Sequence, residues 1–174
     1  MKKSINLWEI WGFGVTVLCG TLLHFLYDWT GESKWSALIS GVNESTWEHM
    51  KLMFFPMFFF AIVESFFFRD YENFWYIKLR GTLWALSLIP IIFYSYNGII
   101  GKSPDWINIS IFFFSAAIAY FYEWKQFKSN EIICKHKKIS FAIFCILAFF
   151  FVLFTFRTPE LNIFKDPITN TYGI

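Results

Sequence analysis

The chain has 174 residues, of which 56% are apolar, with 25 Phe, 9 Trp and a formal net charge of only +2. Such apolar content lies far above that of soluble globular proteins, and the length suits one domain. The basic residues flank apolar runs and build no nucleic-acid patch. The three cysteines, Cys19, Cys134 and Cys145, have neither metal-type nor redox-type spacing, so no disulfide framework is expected.

Apolar runs occupy 7–27, 52–68, 82–100, 106–122 and 139–156. Each is close to the roughly 17–25 residues that a helix needs to cross the hydrocarbon core. Helices are required there because no water satisfies an exposed backbone, and the absence of period-2 alternation argues against a β-barrel. The expected fold is an all-α membrane protein: one polytopic domain over 1–174 with five transmembrane helices, an external loop before the second and an external tail at 157–174.

The first run follows Met1, Lys2 and Lys3 but carries Glu9 and lacks a small-x-small cleavage site, so it is expected to be a permanent span. Leu18 before Cys19 fits a lipoprotein cleavage box poorly. Within this run Gly12, Thr16, Gly20, His24 and Asp28 follow one another at i+4 steps, a stripe that should face protein. It is either a packing seam ending in a hydrogen-bonded histidine or the approach to a polar site.

The segment Asn43-Glu44-Ser45-Thr46-Trp47-Glu48-His49-Met50-Lys51 precedes the second run. Ser45 and Glu48 have the spacing of a capping box, which accounts for both structurally. Glu44, Asn43 and His49 are left without that explanation. If the helix starts early, Glu44 and Glu48 share a face and repel unless Lys51, a cation or a proton intervenes.

Pro56 and Pro90 fall inside the second and third runs, where membrane helices tolerate them if neighbours compensate. Tyr94, Tyr96 and Asn97 close the third run, and Asp105 opens the fourth as either an N-cap or a site residue. His136 lies among loop lysines and reads as solvated. Near the opposite helix ends, Glu9 and Glu64 are expected to pair with Arg69, Lys78 or Arg80 in structural contacts. The tail from Asn162 to Ile174 interleaves turn formers with apolar anchors, consistent either with folding back over the bundle or with a flexible end.

Charge sets the orientation. Lys2, Lys3, Arg69, Lys78, Arg80, Lys125, Lys128, Lys135, Lys137 and Lys138 fall on one side, against Lys34, Lys51, Lys102, Arg157 and Lys165 on the other. The positive-inside rule then predicts N-inside, C-outside. Trp8, Trp75, Trp84 and Trp124 near inner ends, with Trp29, Trp47 and Trp106 near outer ends, form the two belts of that topology.

Read as Val-Asn-Glu-Ser-x-Trp-Glu-His-x-Lys-Leu at 42–52 and Phe-x-Asp-Pro-x-Thr-x-x-Tyr-Gly-Ile at 164–174, the chain resembles a family of small multi-pass bacterial membrane proteins defined only as a domain of unknown function. The resemblance implies a bacterial cytoplasmic membrane location and marks Asn43, Glu44, Ser45, Trp47, Glu48, His49, Lys51, Asp166, Pro167, Tyr172 and Gly173 as pattern positions. The Asn-Glu-Ser segment ahead of a histidine is also similar to the progestin-receptor-like and alkaline-ceramidase superfamily, which holds zinc in the membrane. The shorter Asn43-to-His49 spacing and the five spans make that likeness an analogy for chemistry alone.

Three functions follow as expectations. In the first, His24, Asp28, His49 and Asp166 supply ligands for a divalent metal such as zinc, with Glu44 or Glu48 as general base and Asn43, Ser45, Lys51, Tyr94, Asn97 and Tyr172 as further polar site candidates. The protein would then be a hydrolase or transferase acting on a lipid-like or extracytoplasmic substrate. The second is a small transporter or ion-binding protein, disfavoured by the absence of an inverted repeat. The third is a noncatalytic membrane subunit or docking protein.

Overall fold

The computed structural model describes residues 2–129 and 137–174. Met1, Cys134, Lys135 and His136 lie outside the described residues, as do the side chains of Lys2, Lys3 and Lys137. Among the described residues there are five α-helices: α1 (Lys2–Trp29), α2 (Thr46–Ser65), α3 (Phe74–Ile99), α4 (Asp105–Lys128) and α5 (Lys137–Phe156). Short 3-10 turns at Ser36–Leu38 and Asn162–Phe164 fall in the α1–α2 loop and the tail.

Every helix starts ahead of the apolar run that announces it, and the extra turns carry charge. α2 begins at Thr46, bringing Glu48, His49 and Lys51 into the helix, and α3 begins at Phe74, bringing in Lys78 and Arg80. α4 continues past its run to include Glu123 and Lys125. Of the basic residues counted for orientation, Lys51 and Lys78 lie within helices and are essentially inaccessible. Hydropathy ends a run at the first charge, whereas a helix continues wherever its neighbours supply partners for that charge.

Among the described residues four helices are long and apolar enough to cross a membrane: Ser4–Trp29, Phe74–Ile99, Asp105–Lys128 and Lys138–Phe156. α2 stands apart because it carries Glu48, Lys51 and Glu64, all buried. It packs against α1, α3 and α5, while α4 closes against α1 and α3. A helix so surrounded needs a protein-complementary surface more than an apolar one. Its Met53, Phe54, Phe55, Met57 and Phe58 form the centre of the main core with Leu86, Ile89, Tyr120, Phe144 and Phe151.

The small-residue stripe of α1 does face protein. Gly12 lies against Phe60 and the Tyr120 ring, Thr16 hydrogen-bonds the Tyr120 hydroxyl at 2.7 Å, and Gly20 lies against Phe112 and the Leu52 carbonyl. Leu52 is four residues before Pro56, so this is the carbonyl that the proline deprives of its helical donor. A second, smaller core of Ile5, Ala61, Phe68, Phe74, Ile77 and Phe127 seals the end of the bundle opposite His24. Cys19 and Cys145 are free thiols.

Candidate functional site

The segment before α2 sends each side chain to a different task. Asn43 makes the turn, its Oδ1 accepting from the Ser45 N–H at 2.9 Å. Ser45 caps α2, its Oγ accepting from the Glu48 N–H at 3.3 Å. Only this half of the capping box forms, because Asn43 satisfies the Ser45 N–H that Glu48 would otherwise reach. Freed from the cap, the buried Glu48 carboxylate pairs with Lys51 Nζ at 2.5 Å and accepts from the Val42 N–H and the Thr155 hydroxyl. Lys51 Nζ also donates to the Ala37 carbonyl at 3.0 Å and to Thr155 Oγ1 at 2.8 Å. This network ties the α1–α2 loop, α2 and α5 together.

Glu44 and His49 turn the other way, toward α1. The Glu44 carboxylate stands between two imidazoles, Oε1 3.6 Å from His24 Nε2 and Oε2 3.6 Å from His49 Nε2. The rings lie nearly perpendicular with centroids 5.5 Å apart. One donor atom from each of the three residues falls within 4.8 Å of the others. At 3.6 Å the nitrogen–oxygen pairs are too long for good hydrogen bonds. Two ligands on one tetrahedral zinc, with bonds of about 2.0–2.1 Å, stand about 3.4 Å apart.

His49 is oriented by its own helix start. Its Nδ1 lies 3.0 Å from the Ser45 carbonyl, so the proton belongs on Nδ1, donated to that oxygen, and the Nε2 lone pair is left facing Glu44. All three side chains are partly exposed, at 35% for His24, 38% for Glu44 and 24% for His49. An ion could enter without opening the bundle.

The tail closes over this end. Asp166 caps a turn, its Oδ1 accepting from the Ile168 N–H at 2.7 Å and the Thr169 N–H at 3.3 Å, and the Lys165–Tyr172 bridge completes a small hairpin. Burial raises the Asp166 pKa, but the hydrogen bonds from Ile168, Thr169 and the Glu44 backbone outweigh it and hold the group below its ordinary value. Asn43 Nδ2 donates to the Gly173 carbonyl at 3.0 Å, and Phe164 packs on Trp47 with ring centroids 4.8 Å apart. Gly173 has φ +64°, and a Cβ there would lie 2.2 Å from the Thr158 hydroxyl, so only glycine fits.

Beside the cluster lies a cavity of about 140 Å³ bordered by Glu44, Thr46, His49, Asn97, Ser103, Asp105 and Asn108, with an apolar floor of Ile89, Phe93, Ile111 and Phe112. Asn97 shapes its wall, accepting from the Ser103 N–H at 2.8 Å and donating to the Phe93 carbonyl at 2.7 Å. Pro167 and Ile168 of the tail contribute to the rim.

Of the residues singled out in the sequence, His24, Glu44 and His49 therefore come together. Asp28 lies one turn beyond His24, exposed and outside the group. Asp166 is nearby but engaged in its turn, Glu48 and Lys51 satisfy each other, and Tyr94 bridges Thr46 and the Asn162 carbonyl. Tyr172 takes part in the hairpin through its backbone. Glu44, expected as a base, stands beside the two imidazoles where an aspartate was expected. Sequence spacing could not reveal this, since loop direction decides which carboxylate faces the imidazoles.

At the other end, Lys78 takes both acids foreseen there, with Nζ 2.6 Å from Glu64 and 3.8 Å from Glu9. It also takes Glu123 at 2.5 Å, a residue that hydropathy places just past the fourth run. Arg80 instead contacts the Tyr76 hydroxyl at 3.2 Å.

A family model described as a family of unknown function (DUF6512) matches residues 1–174, and the chain belongs to that family. No curated protein and no solved structure matches it.

Proposed function

We propose that this member of the DUF6512 family crosses a bacterial cytoplasmic membrane five times, N-inside and C-outside, and holds a divalent metal, zinc foremost, on His24, Glu44 and His49 at the extracytoplasmic face. The metal would serve hydrolysis or group transfer on a lipid-like or extracytoplasmic substrate. One observation carries this reading: three donors from α1, the loop and α2 converge at near-ligand spacing with no protein cation between them. Two imidazoles and a carboxylate form a ligand set that leaves a position open for water, whose pKa the metal lowers.

The adjoining cavity suits an amphiphile, with an apolar floor beneath amides, hydroxyls and the Lys102 ammonium. Asp105 lines the same cavity and is the carboxylate left to accept a proton from the attacking water. α2 is taken as the fifth span because its charged residues are sheltered by its neighbours.

Elemental analysis of detergent-purified protein tests the reading. About one transition metal per chain is expected in the wild type, and loss of the metal in both His24→Ala and His49→Ala. Metal-free wild type that also fails to bind added zinc would remove the hydrolase and leave the docking-subunit and small-transporter functions.

A further inference from the structure

The charge cluster around Lys78 draws one acidic residue from each of three helices onto a lysine of a fourth. Glu9 belongs to α1, Glu64 to α2 and Glu123 to α4, and all are buried with the ammonium of α3. Three carboxylates against one ammonium would leave two negative charges in the bundle interior if all four groups were ionised. Buried charge without compensation is among the costliest arrangements available to a protein.

Among the described residues the surroundings offer no second cation. From α4, Tyr120 places its ring 5.1 Å from Lys78 Nζ and spends its hydroxyl on Thr16. Arg80 of α3 lies over the Tyr76 and Tyr122 rings, and on α5 the described ionisable groups, Lys138 and Cys145, are exposed.

Two observations indicate where a proton reduces this charge. Both Glu9 oxygens are buried without a conventional hydrogen-bond donor, although the carboxylate points into the cluster with Oε1 3.8 Å from Lys78 Nζ. Glu9 and Glu123 also crowd the same ammonium, Glu9 Oε1 at 3.8 Å and Glu123 Oε2 at 2.5 Å from Lys78 Nζ, and Glu123 Oε1 is likewise buried without a donor. Two carboxylates cannot hydrogen-bond, because neither has a donor; one carboxylic acid and one carboxylate can.

The chain makes room for this contact. A Cβ at Gly81 would lie 2.1 Å from Glu123 Oε1, so any larger residue in α3 would push the Glu123 carboxylate from its place. One turn further toward the bundle end from each charged residue stands a member of the sealing core: Ile5 for Glu9, Phe68 for Glu64, Phe74 for Lys78 and Phe127 for Glu123. The cluster is therefore closed off by a four-residue apolar layer.

We infer that the Glu9–Glu64–Lys78–Glu123 cluster is an occluded proton-binding site, in which Glu9 and Glu123 share a proton at neutral pH. The site is independent of the metal at the other end of the bundle. The ligand is a proton on the carboxyl pair, which halves the excess negative charge and leaves Glu64 and Glu123 as the counterions of Lys78.

Infrared spectroscopy of the full chain in lipid at neutral pH tests this without any variant, since exposed acids are then ionised and a carboxylic-acid carbonyl band reports a protonated one. The wild type should show that band, shifting slowly in heavy water because the apolar layer limits exchange. Glu9→Gln replaces the acid with a neutral donor, so the band should be lost while the melting temperature stays near that of wild type. Absence of the band in the wild type overturns the inference, as does a band unchanged in both Glu9→Gln and Glu123→Gln. A band that sodium chloride abolishes and choline chloride does not would make this a sodium site, and overturns it equally.

Discussion

The two polar clusters stand about 22 Å apart along α1, the rise from Glu9 to His24, and treat charge in opposite ways. At the Lys78 end, three acids surround a cation that the chain itself supplies, and every member is buried. At the His24 end, two imidazoles and a carboxylate face one another half-exposed with no protein cation between them. The fold also shows what it does when it wants a carboxylate neutralised there: Glu48, four residues from Glu44, is given Lys51. Glu44 is given no such partner, which is the contrast behind the proposed cation site, whereas the Lys78 cluster joins four helices.

The largest effect that would break this contrast is at Lys78. Lys78→Met strands the acids without their ammonium and should cost about 3–5 kcal/mol, read as failure to accumulate or as a collapse of thermal stability in detergent. A near-normal melt would mean that the cluster is not structural. Lys51→Met should follow at about 3 kcal/mol, with Glu48→Gln/Lys51→Met recovering part of the loss, because the pair is buried and each partner alone is unsatisfied. Additive losses in that cycle would deny the coupling.

Gly173→Ala comes next. A left-handed backbone and the Thr158 contact should cost about 1–3 kcal/mol locally, seen as faster proteolysis of the tail with the helices intact. The tail should also loosen in acid. The folded pKa of Asp166 lies below its ordinary 3.8, so its contribution is present above that value and is lost as pH falls through the lower folded one. Tail protection that rises on acidification below pH 3.8 would contradict the assigned hydrogen bonds. Smallest in stability are His24→Ala and Glu44→Gln, expected within about 0.5 kcal/mol of wild type because both residues are partly exposed, yet abolishing metal binding.

Much of the His24 end could be read from sequence. The i+4 stripe of α1 and the helix start at Ser45 both locate a histidine near the same bundle end, and their rings do meet. The division of labour within the segment was not legible. Whether Glu44 or Glu48 faces the imidazoles depends on Asn43 taking the Ser45 N–H, a competition between two local hydrogen bonds that spacing does not resolve. Asp166 was foreseen as a ligand, while its carboxylate is consumed by a turn that only the folded tail reveals. At the Lys78 end the partners Glu9 and Glu64 were foreseen, and Glu123 was missed because hydropathy closes the fourth run one residue before it. A charged residue continues a helix when three others are waiting for it, and that information lies in the packing of α1, α2 and α3.

X-ray absorption at the zinc edge on the zinc-loaded protein tests the central claim most directly. The account predicts two imidazole nitrogens and light oxygen donors at about 2.0–2.1 Å, with the imidazole signature reduced in His24→Ala and in His49→Ala. A sulfur shell, or a spectrum that neither substitution changes, would place the metal elsewhere and contradict the site.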